Sequence, residues 1–439
     1  MPLVDLFSPR PVLAALAFAF LLPIGATHAE APKLTLKDGD VWVMAGDSIT
    51  AQRMHTNYIE AFYRTRYPNL HLHFRNSGIG GNRAGSVLKR FDYDVAAWKP
   101  TIVSVELGMN DVGGPVDQYI NGLRELIGKI RAIGAQPVLI SSSPVDDGSV
   151  TGDWKSPRCE SLHPFTEALQ KLATEEKVVF VDQYHALLDV WGRNRRAGAE
   201  AAEKAGTPPP VAPVVPAGTP PKPAPIPPSL IPLHGDTVHP GDVGQYTMAT
   251  VILNGLGASG EVSSATISAD GKVVDAKRCK ITDAAAKDGT ISFTRLDEAS
   301  PWPILPSAKP AAQLVPKMLQ LSQYTLTVTG LKDDASYAVT FDGKPAAVVT
   351  GRELAAGWNM TTAYDSVLGA RATALLSNNL IGKLEGALPG GLNGAWRAAS
   401  QAGDAEKLAA AQKEIESTEA EIQTACQPVA LHVEIAPAK

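Results

Sequence analysis

The chain has 439 residues, 44% hydrophobic and 19% charged, with a formal net charge of −5. That length is enough for two or more domains, each with its own core. The charge balance excludes the basic character expected of a nucleic-acid-binding protein or of a polybasic membrane patch.

Residues 11–25 are uncharged and apolar, follow Arg10, and precede the small-residue stretch Ala26, Thr27, His28, Ala29. The run is too short to span a bilayer and contains Pro23, so residues 1–29 read as a secretory signal peptide cut after Ala29 or Ala31. This predicts a secreted or periplasmic protein with no membrane span after cleavage; an uncleaved anchor is the alternative. Between residues 41 and 181, short apolar runs alternate with longer amphipathic ones. Strands are predicted at 41–45, 70–74, 101–106, 136–141 and 178–181, and helices at 54–67, 85–91, 118–133 and 162–176. Ile120, Leu123, Ile127 and Ile130 share one helical face. The alternation implies an α/β fold: a parallel sheet covered by helices on both faces.

Residues 193–229 are dominated by Ala, Pro and Gly and read as a disordered, solvated insertion in a domain spanning 35–257. Beyond it the pattern changes. Residues 258–356 carry alternating runs at 290–294 and 324–328, with turns at Asp270-Gly271 and Asp342-Gly343, the marks of a small antiparallel β unit. Within 357–439, helices are predicted at 359–384 and 402–424 and a final strand at 429–435. The second helix is highly charged and reads as an exposed hairpin helix. Cys159, Cys279 and Cys426 allow at most one disulfide, of unspecified pairing, and are too widely spaced for a local zinc motif.

Four short segments carry the chemistry. Gly46, Asp47, Ser48 and Ile49 directly follow the first strand and precede a helix, an arrangement that exposes a serine hydroxyl at a sheet edge. The others are Asn76 to Asn82, with Gly78, Gly80 and Gly81; Gly108 to Asp111, with Asn110; and Asp236 to Pro240, with His239. Singly, Ser48 could cap a helix and Asn110 could lie in an ordinary turn. Asp47 and Asp111 are expected to bond local backbone. Together and in this order, the four segments resemble the GDSL or SGNH hydrolase superfamily, over roughly residues 41–257. The resemblance implies a three-layer α/β/α, flavodoxin-like core, to which this chain adds the C-terminal β unit and helices.

A serine hydroxyl needs a base, and His239 is the candidate. Asp236, three residues earlier, would orient the imidazole; Asp242 is the alternative acid. Pro240 suits the first turn of a helix over 242–253. The resemblance assigns the oxyanion hole to the backbone N–H of Ser48, the backbone N–H of Gly81 and the side-chain amide of Asn110, with Gly80 as a rival to Gly81. His234, Asp236 and His239 as metal ligands would leave Ser48 and the glycines unexplained, so no metal or other cofactor is expected. His71 and His73 alternate along a strand and so share a face. Arg295, Asp297 and Trp302 could form a substrate wall, pack between domains, or belong to a carbohydrate-binding unit. The expected function is serine ester hydrolysis through an acyl-enzyme, on small-molecule or glycan esters such as O-acetylated carbohydrate. The alternatives are a non-catalytic glycan-binding or surface protein on the same scaffold, or a lipase or thioesterase. Oligomeric state is left open.

Overall fold

Strand β1 (Val41–Gly46) is buried on both faces. Trp42 and Met44 point into one apolar cluster, with Phe62 and Ile252, while Val43 and Ala45 point into another, with Val105 and Ile127. Side chains that alternate between two cores require helices on both sides of the sheet. The computed structural model describes residues 34–145, 157–206, 231–385 and 391–438. The expected signal peptide at 1–29, and 207–229 of the expected insertion, lie outside the described residues.

The remaining strands of this sheet are β2 (His73–Gly78), β3 (Ile102–Glu106), β4 (Gln136–Ile140) and β5 (Val179–Val181). All pairs are parallel, in the order β2-β1-β3-β4-β5. The helices are α1 (Ser48–Ala51, a single turn), α2 (Met54–Arg66), α3 (Ala84–Arg90), α4 (Val116–Ala132), α5 (Pro157–Glu176), α6 (Gln183–Lys204) and α7 (Asp242–Gly255). Helices α2, α6 and α7 supply Ile59, Leu187 and Ile252 to one face. Helices α3, α4 and α5 supply Val87, Leu123 and Leu169 to the other. The core is therefore the three-layer α/β/α sandwich expected. Because connections leave β1 and β3 toward opposite faces, a crevice opens between their carboxyl ends.

Two expectations in this half need correction. The second strand runs from His73 to Gly78 rather than over 70–74. Its later residues Arg75, Asn76 and Ser77 are polar yet buried, because acids from elsewhere in the chain meet them, and apolar patterning cannot register that. His71 consequently precedes the strand and is exposed against Asp38, while His73 contacts Glu419, so the two do not share a strand face. Helix α6 also continues to Lys204, across the first part of the expected insertion. Residues 193–204 are mostly Ala, Arg and Glu, good helix formers, and the prolines begin only at Pro208.

The rest of the chain builds two further sheets and a helical flank. The strands are β6 (Glu261–Ser268), β7 (Val273–Lys277), β8 (Cys279–Lys287), β9 (Thr290–Asp297), β10 (Gln323–Thr329), β11 (Ser336–Phe341), β12 (Lys344–Thr350), β13 (Trp358–Asn359) and β14 (Leu431–Pro437). They pair as β13-β10-β6-β7 and β12-β11-β14-β9-β8, around Val262, Phe293, Leu326, Phe341 and Val433. The unit is not purely antiparallel, since β6 and β10 run parallel. It is also not confined to 258–356, because β14 inserts between β9 and β11.

Four short helices, α8 (Ala311–Leu314), α9 (Lys317–Gln320), α10 (Gly351–Ala356) and α11 (Val367–Leu375), link these strands and sheets, and α12 (Ile381–Glu385), α13 (Gly391–Ala402) and α14 (Ala405–Ala425) follow. The single helix expected over 359–384 is broken because Asn359 and Ser366 turn their side chains onto backbone N–H groups, of Thr361 and Leu368 respectively.

Helix α14 is not the exposed hairpin helix expected. Ile415 and Ile422 pack against Ala61 of α2, and Glu419 is buried among basic side chains of the core domain. Its carboxylate contacts Arg75 at 2.7 Å, His73 at 2.8 Å and Arg64 at 3.4 Å. Burial acts to raise its pKa, but His73 and the two arginines outweigh it and hold it down at about 2. Glu419→Gln leaves Arg75 and Arg64 underpaired, so chemical denaturation at pH 7 should show a loss of about 3–5 kcal/mol. A carboxylate with a depressed folded pKa stabilises above its ordinary value of 4.5 and loses that contribution as pH falls toward about 2. The gap between wild type and variant should therefore narrow over that range. A gap that is absent at pH 7, or that widens in acid, contradicts the assignment.

Candidate active site

The turn after β1 lies directly on the sheet edge because two glycines let it. A Cβ on Gly46 would stand 2.0 Å from Thr50 Oγ1, and one on Gly78 would stand 2.4 Å from the Ala51 nitrogen. Asp47 caps α1, its Oδ1 accepting from the Ile49 N–H at 2.9 Å. Ser48 is thus the first residue of α1, at the carboxyl end of β1 and beside the crevice. Asp47 is buried, and desolvation together with the charge of Glu106 pushes its pKa up to about 7. It is structural, as expected.

The base arrives on a tight loop. Gly235 N–H donates to the His239 carbonyl at 2.9 Å, and Gly241 N–H donates to the Leu233 carbonyl at 2.9 Å. Inside the loop, Asp236 Oδ1 accepts from the backbone N–H groups of Val238 at 2.7 Å and His239 at 2.8 Å. Its Oδ2 lies 2.9 Å from His239 Nδ1, and His239 Nε2 lies 2.8 Å from Ser48 Oγ. Partial burial tends to raise the Asp236 pKa, but the His239 backbone N–H and ring outweigh it and hold it below its ordinary value. The acid therefore stays ionised and fixes the imidazole with Nδ1 protonated and Nε2 as acceptor. Asp242, the alternative acid, is the first residue of α7. His234 is turned onto Trp191, whose Nε1 donates to His234 Nε2 at 3.2 Å. Both ring nitrogens of His239 are committed to Asp236 and Ser48, which leaves none for a metal shared with His234.

The oxyanion candidates converge on the same edge. Residues 79–82 form a turn closed by Asn82 N–H to the Ile79 carbonyl at 3.2 Å, with Gly81 at φ +74°, a type II geometry that favours glycine. A Cβ on Gly80 would lie 3.9 Å from Ser48 Cβ, so this turn sits beside the nucleophile. Among the described residues, the N–H groups of Ser48, Gly80 and Gly81 donate to no protein acceptor. Asn110, on the loop after β3, donates one Nδ2–H to the Asn82 carbonyl at 3.1 Å, which ties the two loops together and leaves its second Nδ2–H for a ligand.

Sequence reasoning missed the scaffold beneath the site. Glu106, at the end of β3, accepts from Thr50 Oγ1 at 3.1 Å and Gln183 Nε2 at 2.6 Å, and contacts His55 Nε2 at 3.1 Å. Burial disfavours a charged His55, but Glu106 overrides it and lifts the His55 pKa above its ordinary value. His55 Nδ1 lies 2.7 Å from Gln245 Oε1, and Gln245 Nε2 donates to Gln52 Oε1 at 2.7 Å. The turn bearing Ser48 and the helix following His239 are therefore cross-linked below the surface. The available signal was an acid, Glu106, closing a mostly apolar strand. Trp302 and Arg295 are not substrate-wall residues. Trp302 packs on Phe62 and Tyr246 and donates to the Tyr58 carbonyl at 2.9 Å, and Arg295 is fully buried against Asp297.

Comparison with known proteins agrees with this geometry. Residues 44–246 match the GDSL-like Lipase/Acylhydrolase family. An acetylxylan esterase of Geobacillus stearothermophilus is 25% identical over 145 residues, covering 30% of this chain; the chain spans 64% of that relative's length. The solved structure of a gut microbial diltiazem-metabolizing enzyme superposes with a TM-score of 0.73 at 22% identity, over 93% of this chain and all of that one. At that identity the likeness is one of fold.

The three side chains and the amide make graded predictions for turnover of p-nitrophenyl acetate. Ser48→Ala should abolish turnover, and Asp236→Asn should lower kcat about 10⁴-fold. Asn110→Ala should lower it about 10²–10³-fold, through the loss of one oxyanion donor. Comparable turnover in wild type and Ser48→Ala would exclude this site.

Proposed function

We propose that this chain, a member of the GDSL/SGNH hydrolase superfamily through its acylhydrolase domain at residues 44–246, is an exported serine esterase that removes small acyl groups such as acetyl from carbohydrate alcohols. The observation that carries the reading is the unbroken hydrogen-bond chain from Ser48 Oγ through His239 to Asp236, with links of 2.8 and 2.9 Å.

His239 Nε2 takes the Ser48 proton as Oγ attacks the ester carbonyl carbon. Negative charge moves to the carbonyl oxygen, where the N–H of Ser48, that of Gly80 or Gly81, and the Asn110 amide receive it. Collapse of the tetrahedral species expels the alcohol, which takes its proton from His239. Water, deprotonated by the same imidazole, then attacks the acyl-Ser48, and the acid is released as His239 returns the proton to Ser48 Oγ. Asp236 remains ionised throughout and stabilises the imidazolium. No step requires a cofactor. The preference for acetylated carbohydrate is supported by the acetylxylan esterase relative, and export by the apolar, uncharged segment at 11–25.

The test is a substrate series: acetylated xylo-oligosaccharide, p-nitrophenyl esters from acetate to palmitate, and acetyl-CoA. The expected result is acetate release from the oligosaccharide, with kcat/KM falling at least tenfold from acetate to octanoate. Faster turnover of long-chain esters or of the thioester would replace this reading with a lipase or a thioesterase. Glycan binding without hydrolysis of any ester would favour the non-catalytic alternative. Protein recovered outside the cytoplasm should begin just after Ala29 or Ala31; recovery of the full-length chain inside it contradicts export.

A further inference from the structure

A second cluster of chemistry-bearing side chains lies across the α5–α6 pair. His163 and Glu167 are four residues apart on α5 and therefore share a face. His185 lies in the first turn of α6. One ligand atom from each of the three lies within 4.8 Å of the other two. The two imidazoles meet edge to face, with ring centroids 5.6 Å apart.

We propose that His163, Glu167 and His185 form a binding site for a divalent first-row transition-metal ion of the zinc type. Two imidazoles and one carboxylate make a donor set that favours such ions over the oxygen-seeking Mg²⁺ and Ca²⁺. The second observation is Asp182. Its Oδ1 accepts from the His185 backbone N–H at 3.1 Å, capping α6, and its Oδ2 lies 2.8 Å from His185 Nδ1. That bond keeps the proton on Nδ1 and leaves the lone pair on Nε2, the carboxylate–histidine support that metal-binding imidazoles commonly have. His163 Nε2 and Glu167 Oε1 are 4.0 Å apart, too long for a hydrogen bond, but a separation that an ion between them accommodates after a small side-chain adjustment. Glu167 is 54% exposed, so its carboxylate can move, and water can fill the remaining coordination position.

The ion braces two helices that support the base loop. Leu162 of α5 and Tyr184 and Leu188 of α6 belong to one apolar cluster, and Val238, the residue before His239, packs against it. The role is structural: Ser48, His239 and the oxyanion donors are complete without it, and the readout is metal binding rather than ester turnover.

The test is titration of the tag-free full-length protein, stripped with chelator, with Zn²⁺ by calorimetry. One Zn²⁺ per chain is expected to bind with micromolar or tighter affinity and to raise the thermal midpoint, with no response to Mg²⁺. His163→Ala, His185→Ala and Glu167→Ala should each weaken binding at least tenfold. Asp182→Asn retains an acceptor for the helix cap and every metal ligand, yet should weaken binding about 10–100-fold. Circular dichroism identifies any variant that has not folded, and Asp182→Asn then carries the comparison. Absence of stoichiometric Zn²⁺ binding by wild type, or unchanged affinity in folded variants, would overturn the proposal.

Discussion

The site depends on a hydroxyl and an imidazole 191 residues apart in sequence meeting at 2.8 Å. The strand order β2-β1-β3-β4-β5 makes this possible. Chain leaving β1 and chain leaving β3 diverge to opposite helical layers, so the edge between them stays open to a ligand. Ser48 follows β1, the glycine turn follows β2, and Asn110 follows β3, so three successive strand ends deliver three parts of one site. His239 comes from the loop before α7, which packs on the same side as α2. The close approach of the nucleophile turn to the sheet requires Gly46 and Gly78, where a single methyl would collide with Thr50 or with the Ala51 backbone.

A buried polar framework holds these pieces in register. Ionised groups removed from water each carry a desolvation penalty of several kcal/mol and persist only when paired. Glu106 and His55 meet that condition beneath the crevice, and Gln245 passes their constraint to Gln52. A second set joins the C-terminal flank to the core. Arg397 bonds Asp94 at 2.6 Å and the Asn76 carbonyl at 2.9 Å, while Glu385 accepts from the Asn76 N–H at 3.0 Å and from Asn393 at 2.7 Å. Asn76 leads into the glycine turn, so helices far along the chain brace the oxyanion side of the site. The Arg53 guanidinium, five residues after Ser48, donates to the Glu385 carbonyl at 2.8 Å. The C-terminal region is thus part of the body that carries the site rather than an appended module.

The sandwich and its reactive groups were legible because their signals are local. Strands β1, β3, β4 and β5 are mostly apolar, and α2 and α4 carry regular periodicity, so pattern alone places them within a few residues. Ser48, Gly81, Asn110, Asp236 and His239 stand in short motifs whose order carries the information. What could not be read depends on partners distant in sequence. Strand β2 looks like a surface segment after Phe74 until Glu419, Glu385 and Asp94 are set against Arg75, Asn76 and Ser77. Helix α14 looks solvated because its buried Glu419 is indistinguishable from its exposed acids. The return of β14 into the sheet of β9 and β11 has no local signature, since strand pairing at such separation leaves none.

The central claim, that Ser48 is activated by His239 at this sheet edge, is tested most directly by covalent trapping. Incubation with an alkyl fluorophosphonate followed by peptide mass spectrometry should find one adduct, on the Ser48 hydroxyl, and His239→Ala should suppress its formation. An adduct on another residue, or labelling of Ser48 at an undiminished rate without His239, would contradict it.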